Sequence, residues 1–170
     1  MLKPGDTAPD FDLPAAVGGK SERISLARQK DELVVLFFYP KDFSFVCPTE
    51  ITGFQRMRGD FAAEKTSIIG VSCDSVQTHL EWMHELGGID YPLVSDAGGA
   101  LARSYGALNE REGVALRATF ILDSKRQVLY SVASSANVGR SVTETLRVVR
   151  ALRSGRMCPA DWKPAAENAG

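Results

Sequence analysis

Seven apolar residues in a row, Leu33-Val34-Val35-Leu36-Phe37-Phe38-Tyr39, leave this chain few architectures. A strand of alternating pattern keeps one wet face, whereas an unbroken apolar run must be covered on both sides. Ser67-Ile68-Ile69-Gly70-Val71-Ser72-Cys73 reads as a second buried strand. Between the two, Ile51, Phe54, Met57 and Phe61 recur at helical spacing, so a helix is expected from about Cys47 to Ala63. Strand, helix and strand in that order make a parallel crossover. Such a unit gathers strand C-termini and helix N-termini along one edge, and Cys47 falls on that edge.

The rest of the chain fits around this unit. Residues 1–30, rich in Pro, Gly and charge, suggest an irregular or hairpin-like N-terminal segment. Asp74 or Ser75 can cap a helix that runs toward Leu86 and stops at Gly87-Gly88. A short strand is expected over Tyr91 to Val94 and a short helix over Leu101 to Tyr105. Leu116 to Leu122 and Gln127 to Ala133 read as a hairpin about the turn Asp123-Ser124-Lys125-Arg126. Ser141-Val142-Thr143-Glu144 fits a capping box, with Val142, Leu146 and Val149 as the apolar stripe and Gly155 as the stop. The fold class that follows is an α/β sandwich with a mixed central sheet flanked by helices. No repeat or linker divides the 170 residues, which suit one domain.

Composition narrows the function. The 20 basic residues are scattered and the formal net charge is −1, so a nucleic-acid partner is not expected. The apolar runs are too short to span a bilayer, and Met1-Leu2-Lys3-Pro4-Gly5-Asp6 lacks the apolar core of a signal peptide. A cytoplasmic location is therefore expected. Cys47, Cys73 and Cys158 form no C-x-x-C pair and no zinc-like spacing with His79 or His84, so neither a metal nor a disulfide framework is expected. Cys73 shares strand parity with Ile69 and Val71, which suggests core packing; His79 and His84 read as helix-face residues and Trp82 as packing near the Cys47 loop. Pro48 follows Cys47 at a position where a missing N–H costs nothing, which places the cysteine in the first turn of a helix. Free N–H donors and the positive end of the macrodipole there favour a thiolate, the reactive form of the side chain.

These residues resemble a known family. Pro40-x-x-x-Ser44-x-x-Cys47 with Pro48-Thr49-Glu50 is similar to the peroxidatic motif of peroxiredoxins, which have a thioredoxin-like fold. The likeness continues through Gly70-Val71-Ser72-Cys73-Asp74-Ser75, then Arg117-Ala118-Thr119-Phe120 and Val138-Gly139-Arg140. Cys158-Pro159-Ala160-Asp161-Trp162-Lys163-Pro164 resembles the resolving-cysteine segment of the typical two-cysteine subgroup. The resemblance implies a peroxidase domain over 1–153 and a C-terminal segment, 154–170, that carries the resolving cysteine.

It further implies that Cys47 attacks the peroxide, Pro40 shields the sulfur from water, Ser44 hydrogen-bonds the peroxide and Arg117 stabilises the thiolate. Glu50 and Arg140 would orient Arg117. Cys158 of a partner chain would then close an intersubunit disulfide, reopened by a thioredoxin-like or flavoprotein-linked reductant. No metal or organic cofactor is implied; a homodimer is, with a ring of five dimers within the family's range. Two departures stand out. Ser44 replaces the commoner Thr, and Gly87-Gly88-Ile89-Asp90 with the non-aromatic tail Ala165 to Gly170 replaces the pattern of peroxide-sensitive members. Resistance to over-oxidation is the expectation. Two rival readings are a redox-sensing chaperone or signalling protein with minor peroxidase turnover, and a protein thiol–disulfide oxidoreductase, the latter disfavoured because no C-x-x-C is present.

Overall fold

The computed structural model describes residues 1–164. β1 (Asp12–Val17) and β2 (Lys20–Ser25) open the chain as a hairpin about Gly18 and Gly19. Both loop glycines have positive φ, 55° and 84°, as a two-residue loop between strands of native twist requires. β3 (Leu33–Phe38) leads to α1 (Cys47–Arg56), α2 (Arg58–Ala63) and β4 (Thr66–Ser72). α3 (Val76–Glu85), β5 (Leu93–Ser95), α4 (Ala100–Ser104) and a small hairpin of β6 (Leu108–Asn109) with β7 (Val114–Ala115) follow. β8 (Arg117–Asp123), β9 (Val128–Ser134) and α5 (Val142–Ser154) complete the order.

Seven strands form one mixed sheet in the order β2-β1-β5-β4-β3-β8-β9. β3, β4 and β5 run parallel, and β8 lies antiparallel against β3, with Phe38 opposite Ala118. Every residue of β3 is buried. Its alternate side chains feed two separate cores, as a period of two demands. Val34, Leu36 and Phe38 pack with Tyr105 and Phe120 on one face; Val35, Phe37 and Tyr39 pack with Phe54 and Trp82 on the other. Phe37 stacks on Phe54 at 4.5 Å and 18°, which seats α1 on the sheet directly beside its own first turn. Gly53 faces α5, where a Cβ would come within 3.1 Å of Val142 Cγ2, so the glycine lets the two helices approach.

The expected α/β sandwich with a mixed sheet is the fold found, with two local differences. The helix expected over Cys47 to Ala63 is broken at Met57, whose ψ of 7° leaves helical geometry. Gly53 and Gly59, both poor helix formers, flank that break. The β6–β7 hairpin is not expected from the sequence, because two-residue strands carry no readable period. Caps lie where the sequence put them: Ser75 Oγ accepts from Thr78 N, Ser141 Oγ accepts from Glu144 N, and Gly155 ends α5 at φ 66°. Among the described residues no helix is long and apolar enough to cross a membrane.

All four tyrosines (Tyr39, Tyr91, Tyr105 and Tyr130) are held above the ordinary phenol range, burial being the largest cause in each. A raised native value means the neutral phenols stabilise the fold below the unfolded value of about 10, and that this stabilisation is lost as pH rises through the native values. Absorbance at 295 nm should therefore show a phenolate step of all four tyrosines near pH 10 in denaturant and of no more than one, the half-buried Tyr130, in the native protein; a larger native step would show that Tyr39, Tyr91 and Tyr105 are not buried.

Candidate active site

The loop from Tyr39 to Val46 carries the chain from β3 to the first turn of α1. Tyr39 N donates to Val71 O at 3.0 Å, so the strand's pairing extends one residue past β3. Asp42 N donates to Asp74 Oδ2 at 2.9 Å, which fastens the loop to the end of β4. Phe43 takes a positive φ of 56°, an uncommon conformation for a bulky residue, and turns the chain toward the helix. Ser44 Oγ accepts the backbone N–H of Cys47 at 3.2 Å. That bond satisfies one donor of the helix start, where the residue before Cys47, Val46, supplies no side-chain cap. Pro48 brings no N–H to the turn.

Cys47 is fully buried. Both Nη1 and Nη2 of Arg117 lie 3.6 Å from its Sγ. Arg117 opens β8 and is itself only 3% exposed, contrary to the surface position commonest for arginine. Its Nε and Nη2 donate to Ala136 O at 3.2 and 2.8 Å, and Nη1 donates to Glu50 Oε1. The other Glu50 oxygen accepts from Arg140 through both the backbone N, at 3.2 Å, and Nε. Arg140 also donates to Phe38 O, Ala118 O and Thr119 Oγ1, and lies 5.0 Å over the Phe37 ring.

Glu50 therefore stands between two buried guanidinium groups. Burial and then the neighbouring Arg117 charge pull the Arg140 pKa down, to about 9. Two cations and one carboxylate leave the cluster one net positive charge. A negative charge on Cys47 Sγ balances it, in surroundings where an unbalanced charge is costly. The arrangement sets a surplus positive charge directly beside the sulfur.

Of the residues singled out from sequence, the structure brings Cys47, Ser44, Glu50, Arg117 and Arg140 together. Pro40 is half-buried at the start of the loop. Cys158 is not among them. It follows the end of α5, half-buried, its Sγ 3.5 Å from Arg156 O and 3.8 Å from Ala151 O. The non-aromatic tail, Ala165 to Gly170, lies outside the described residues.

One expectation is extended and one corrected. His79 lies on a face of α3, as expected, but on the inner one: it is fully buried, its Nδ1 2.6 Å from Asp42 Oδ2 and its Nε2 3.0 Å from Val94 O. Because a carbonyl only accepts, Nε2 carries a proton. Tyr39 OH donates to Asp42 Oδ1 at 2.7 Å, so Tyr39, Asp42 and His79 form a buried chain that pins the loop to α3 and β5. Burial raises the Asp42 pKa, opposed by its bond to His79. The signal was present: His79 stands three and four residues before the buried Trp82 and Met83, on one helical face. Cys73, expected in the core, lies just past the end of β4, is only half-buried and belongs to neither core cluster, because strand parity stops at Ser72. Burial, then Asp96, raises its thiol pKa. Trp82 is buried as expected, 6.1 Å from the Phe43 ring of the loop.

Comparison with known proteins bears on this site. A family model described as AhpC/TSA matches residues 4–131. Mouse peroxiredoxin-2 is 42% identical over 173 residues, spanning 96% of this chain and 87% of that one. The reduced 2-Cys peroxiredoxin of Plasmodium vivax superimposes with a TM-score of 0.89 at 32% identity, over 96% of this chain and 90% of the other. Mycobacterium tuberculosis AhpC does so at 0.87 and 35%, over 96% and 99%.

Glu50→Gln should test the charge cluster itself. It leaves two buried cations facing a neutral amide, and the loss of one partner from such a group costs about 3–5 kcal/mol. Urea unfolding followed by circular dichroism should show that loss; a change below about 1 kcal/mol would mean the cluster is not charged as described.

Proposed function

The chain belongs to the AhpC/TSA family and is an enzyme, a thiol peroxidase; from that premise we propose that Cys47 is the sulfur that attacks the peroxide. The observation that carries this reading is the buried Sγ at the first residue of a helix with two guanidinium nitrogens 3.6 Å away. In the step, the thiolate sulfur bonds to one peroxide oxygen and the O–O bond breaks. The departing oxygen takes a proton and leaves as water or alcohol, and Cys47 becomes a sulfenic acid. Charge thus moves from sulfur to the leaving oxygen. Donors already fixed beside both positions stabilise that transition state with little reorganisation, and Arg117, held by Ala136 O and Glu50, is such a donor. Arg140 acts by holding Glu50. Ser44 is the second donor to peroxide: its oxygen accepts from Cys47 N, which leaves its own proton free for the substrate. Pro40 screens the sulfur from water.

Cys158 of the partner subunit then attacks the sulfenic sulfur, a disulfide forms and the oxygen leaves as water. The position of the chain's own Cys158 supports a partner. The start of α5 packs against α1 through Val142 and Gly53, whereas its end pairs Arg153 with Glu32 and Glu64, at the opposite end of the strands where β3 and β4 begin. A helix of 13 residues is about 20 Å long, and a disulfide needs Cα atoms within about 7 Å. The proposed division is a peroxidase domain over 1–153 and a segment, 154–170, that carries the resolving thiol.

A homodimer, assembling further as a ring of five dimers, completes the proposal. The open sheet edge at β9, with Val132 43% exposed, supports a contact there. Hydrogen peroxide and organic hydroperoxides are the proposed oxidants, and a thioredoxin-like or flavoprotein-linked disulfide reductase the electron source. The three unpaired cysteines suit a reducing, cytoplasmic setting, and resolution is expected to outrun over-oxidation.

Non-reducing electrophoresis after one equivalent of hydrogen peroxide tests the scheme. Wild type should run as a covalent dimer and both Cys47→Ser and Cys158→Ser as monomers; a Cys158→Ser protein that still forms the wild-type dimer would falsify the resolving role.

A further inference from the structure

Beyond Gly155 the chain leaves α5 and doubles back along it. Cys158 comes first, its thiol 3.6 Å from Ser154 Oγ and within reach of the Ala151 and Arg156 carbonyls. Trp162 then presents its carbonyl to Arg147 Nη1 at 3.0 Å. Arg147 is aimed from behind by Glu144, three residues earlier on α5, whose carboxylate accepts from Nε at 2.6 Å and Nη2 at 2.7 Å. The guanidinium uses one edge for Glu144 and its remaining nitrogen for the segment. A planar fork can do both at once, which a lysine ammonium on its flexible stem cannot.

Packing of the half-buried Cys158, Trp162 and Pro164 leaves this seat incompletely filled. Two open clefts lie between the segment and the helix. One, of about 420 Å³, is bounded by Thr143, Leu146, Asp161 and Lys163; the other, of about 430 Å³, by Tyr130, Leu152, Cys158 and Ala160. Arg147 lines both clefts. A close-packed contact would leave few voids larger than a water molecule. Beyond Cys158, among the described residues, the hydrogen bond that joins the segment to the domain is the one from Arg147 to Trp162.

We propose that Arg147 is a positioning residue for the second chemical step: it latches residues 158–164 onto α5 and sets the rate at which Cys158 is released to the Cys47 sulfenic acid of the partner subunit. The inference rests on the resolving role given to Cys158 above. Its chemistry adds no reactant, since the Cys158 sulfur bonds to the sulfenic sulfur and the sulfenic oxygen leaves as water. Only a released segment brings the two cysteines within bonding reach, so disulfide formation scales with the fraction of segment released. The latch thereby governs competition with a second peroxide, which would carry the sulfenic acid on to sulfinic acid.

Rapid mixing with hydrogen peroxide, followed by quenching and intact-mass measurement, separates the two steps. One hydrogen bond of this partly exposed kind corresponds to about a fivefold change in the released fraction. In Arg147→Ala, oxidation of Cys47 should keep its wild-type rate while disulfide formation becomes about fivefold faster. The peroxide needed for half conversion to sulfinic acid should rise in proportion, and the Trp162 amide should exchange its hydrogen about fivefold faster. Arg153→Ala, on the same helix but paired with Glu32 and Glu64, should move none of these. Disulfide formation that is unchanged or slower in Arg147→Ala overturns the latch. Failure of the underlying reading looks different: the wild type itself would then yield no Cys158-dependent disulfide, and the latch would fall with it.

Discussion

The Glu50 carboxylate, shared between Arg117 and Arg140, is the interaction on which the rest of this structure depends. It lies in the first turn of α1, three residues after Cys47, and it accepts from two arginines that arrive from different parts of the chain. Arg117 is 67 residues away and Arg140 is 90. The carboxylate therefore joins α1, the start of β8 and the turn before α5 at one point. Arg140 extends the junction to the backbone of β3 and β8 through Phe38 O and Ala118 O. Burying two cations is tolerable only because each is bonded on several sides, and the one charge left over faces the Cys47 sulfur.

On the proposed mechanism the same arrangement has to come apart once per turnover, because the helix start that surrounds Cys47 with donors also keeps it from Cys158. Opening it requires loss of the Ser44–Cys47 bond and the two contacts to Arg117, few enough that a local rather than global unfolding suffices. The loop before it is fastened separately, by Asp42 to Asp74 and by the buried chain through His79. That separation lets the first turn unwind while the loop stays docked. Cys158 has its own seat beside α5. On the proposed mechanism, resolution couples two opening events, one in each subunit.

Much of this was legible in the sequence because it rests on local physics. The Leu33–Tyr39 run could only be a strand covered on both faces, and Ser75, Ser141 and Gly155 announced helix ends through ordinary capping chemistry. Cys47 with Pro48 marked a helix start for the same reason. What stayed hidden depends on tertiary contact. Nothing near Arg117 in sequence says that it is buried, since a lone arginine at a strand start is usually wet; the family motif supplied what periodicity could not. His79 reads as a helix-face residue, but its buried bonds to Asp42 and Val94 O depend on residues 37 and 15 positions away. The parking of Cys158 depends on the return path of residues 158–164.

The central claim is that a buried surplus of positive charge prepares Cys47 to attack a peroxide. Its most direct measurement is the second-order rate of Cys47 oxidation by hydrogen peroxide in Arg117→Gln beside wild type, with folding checked by circular dichroism. Removing one prepositioned donor from a dry site costs about 10²- to 10³-fold in rate, and a loss of that size is the result the account predicts. A folded Arg117→Gln protein that oxidises within about threefold of wild type would contradict it, because the guanidinium would then be structural and the reactivity of Cys47 would have another source.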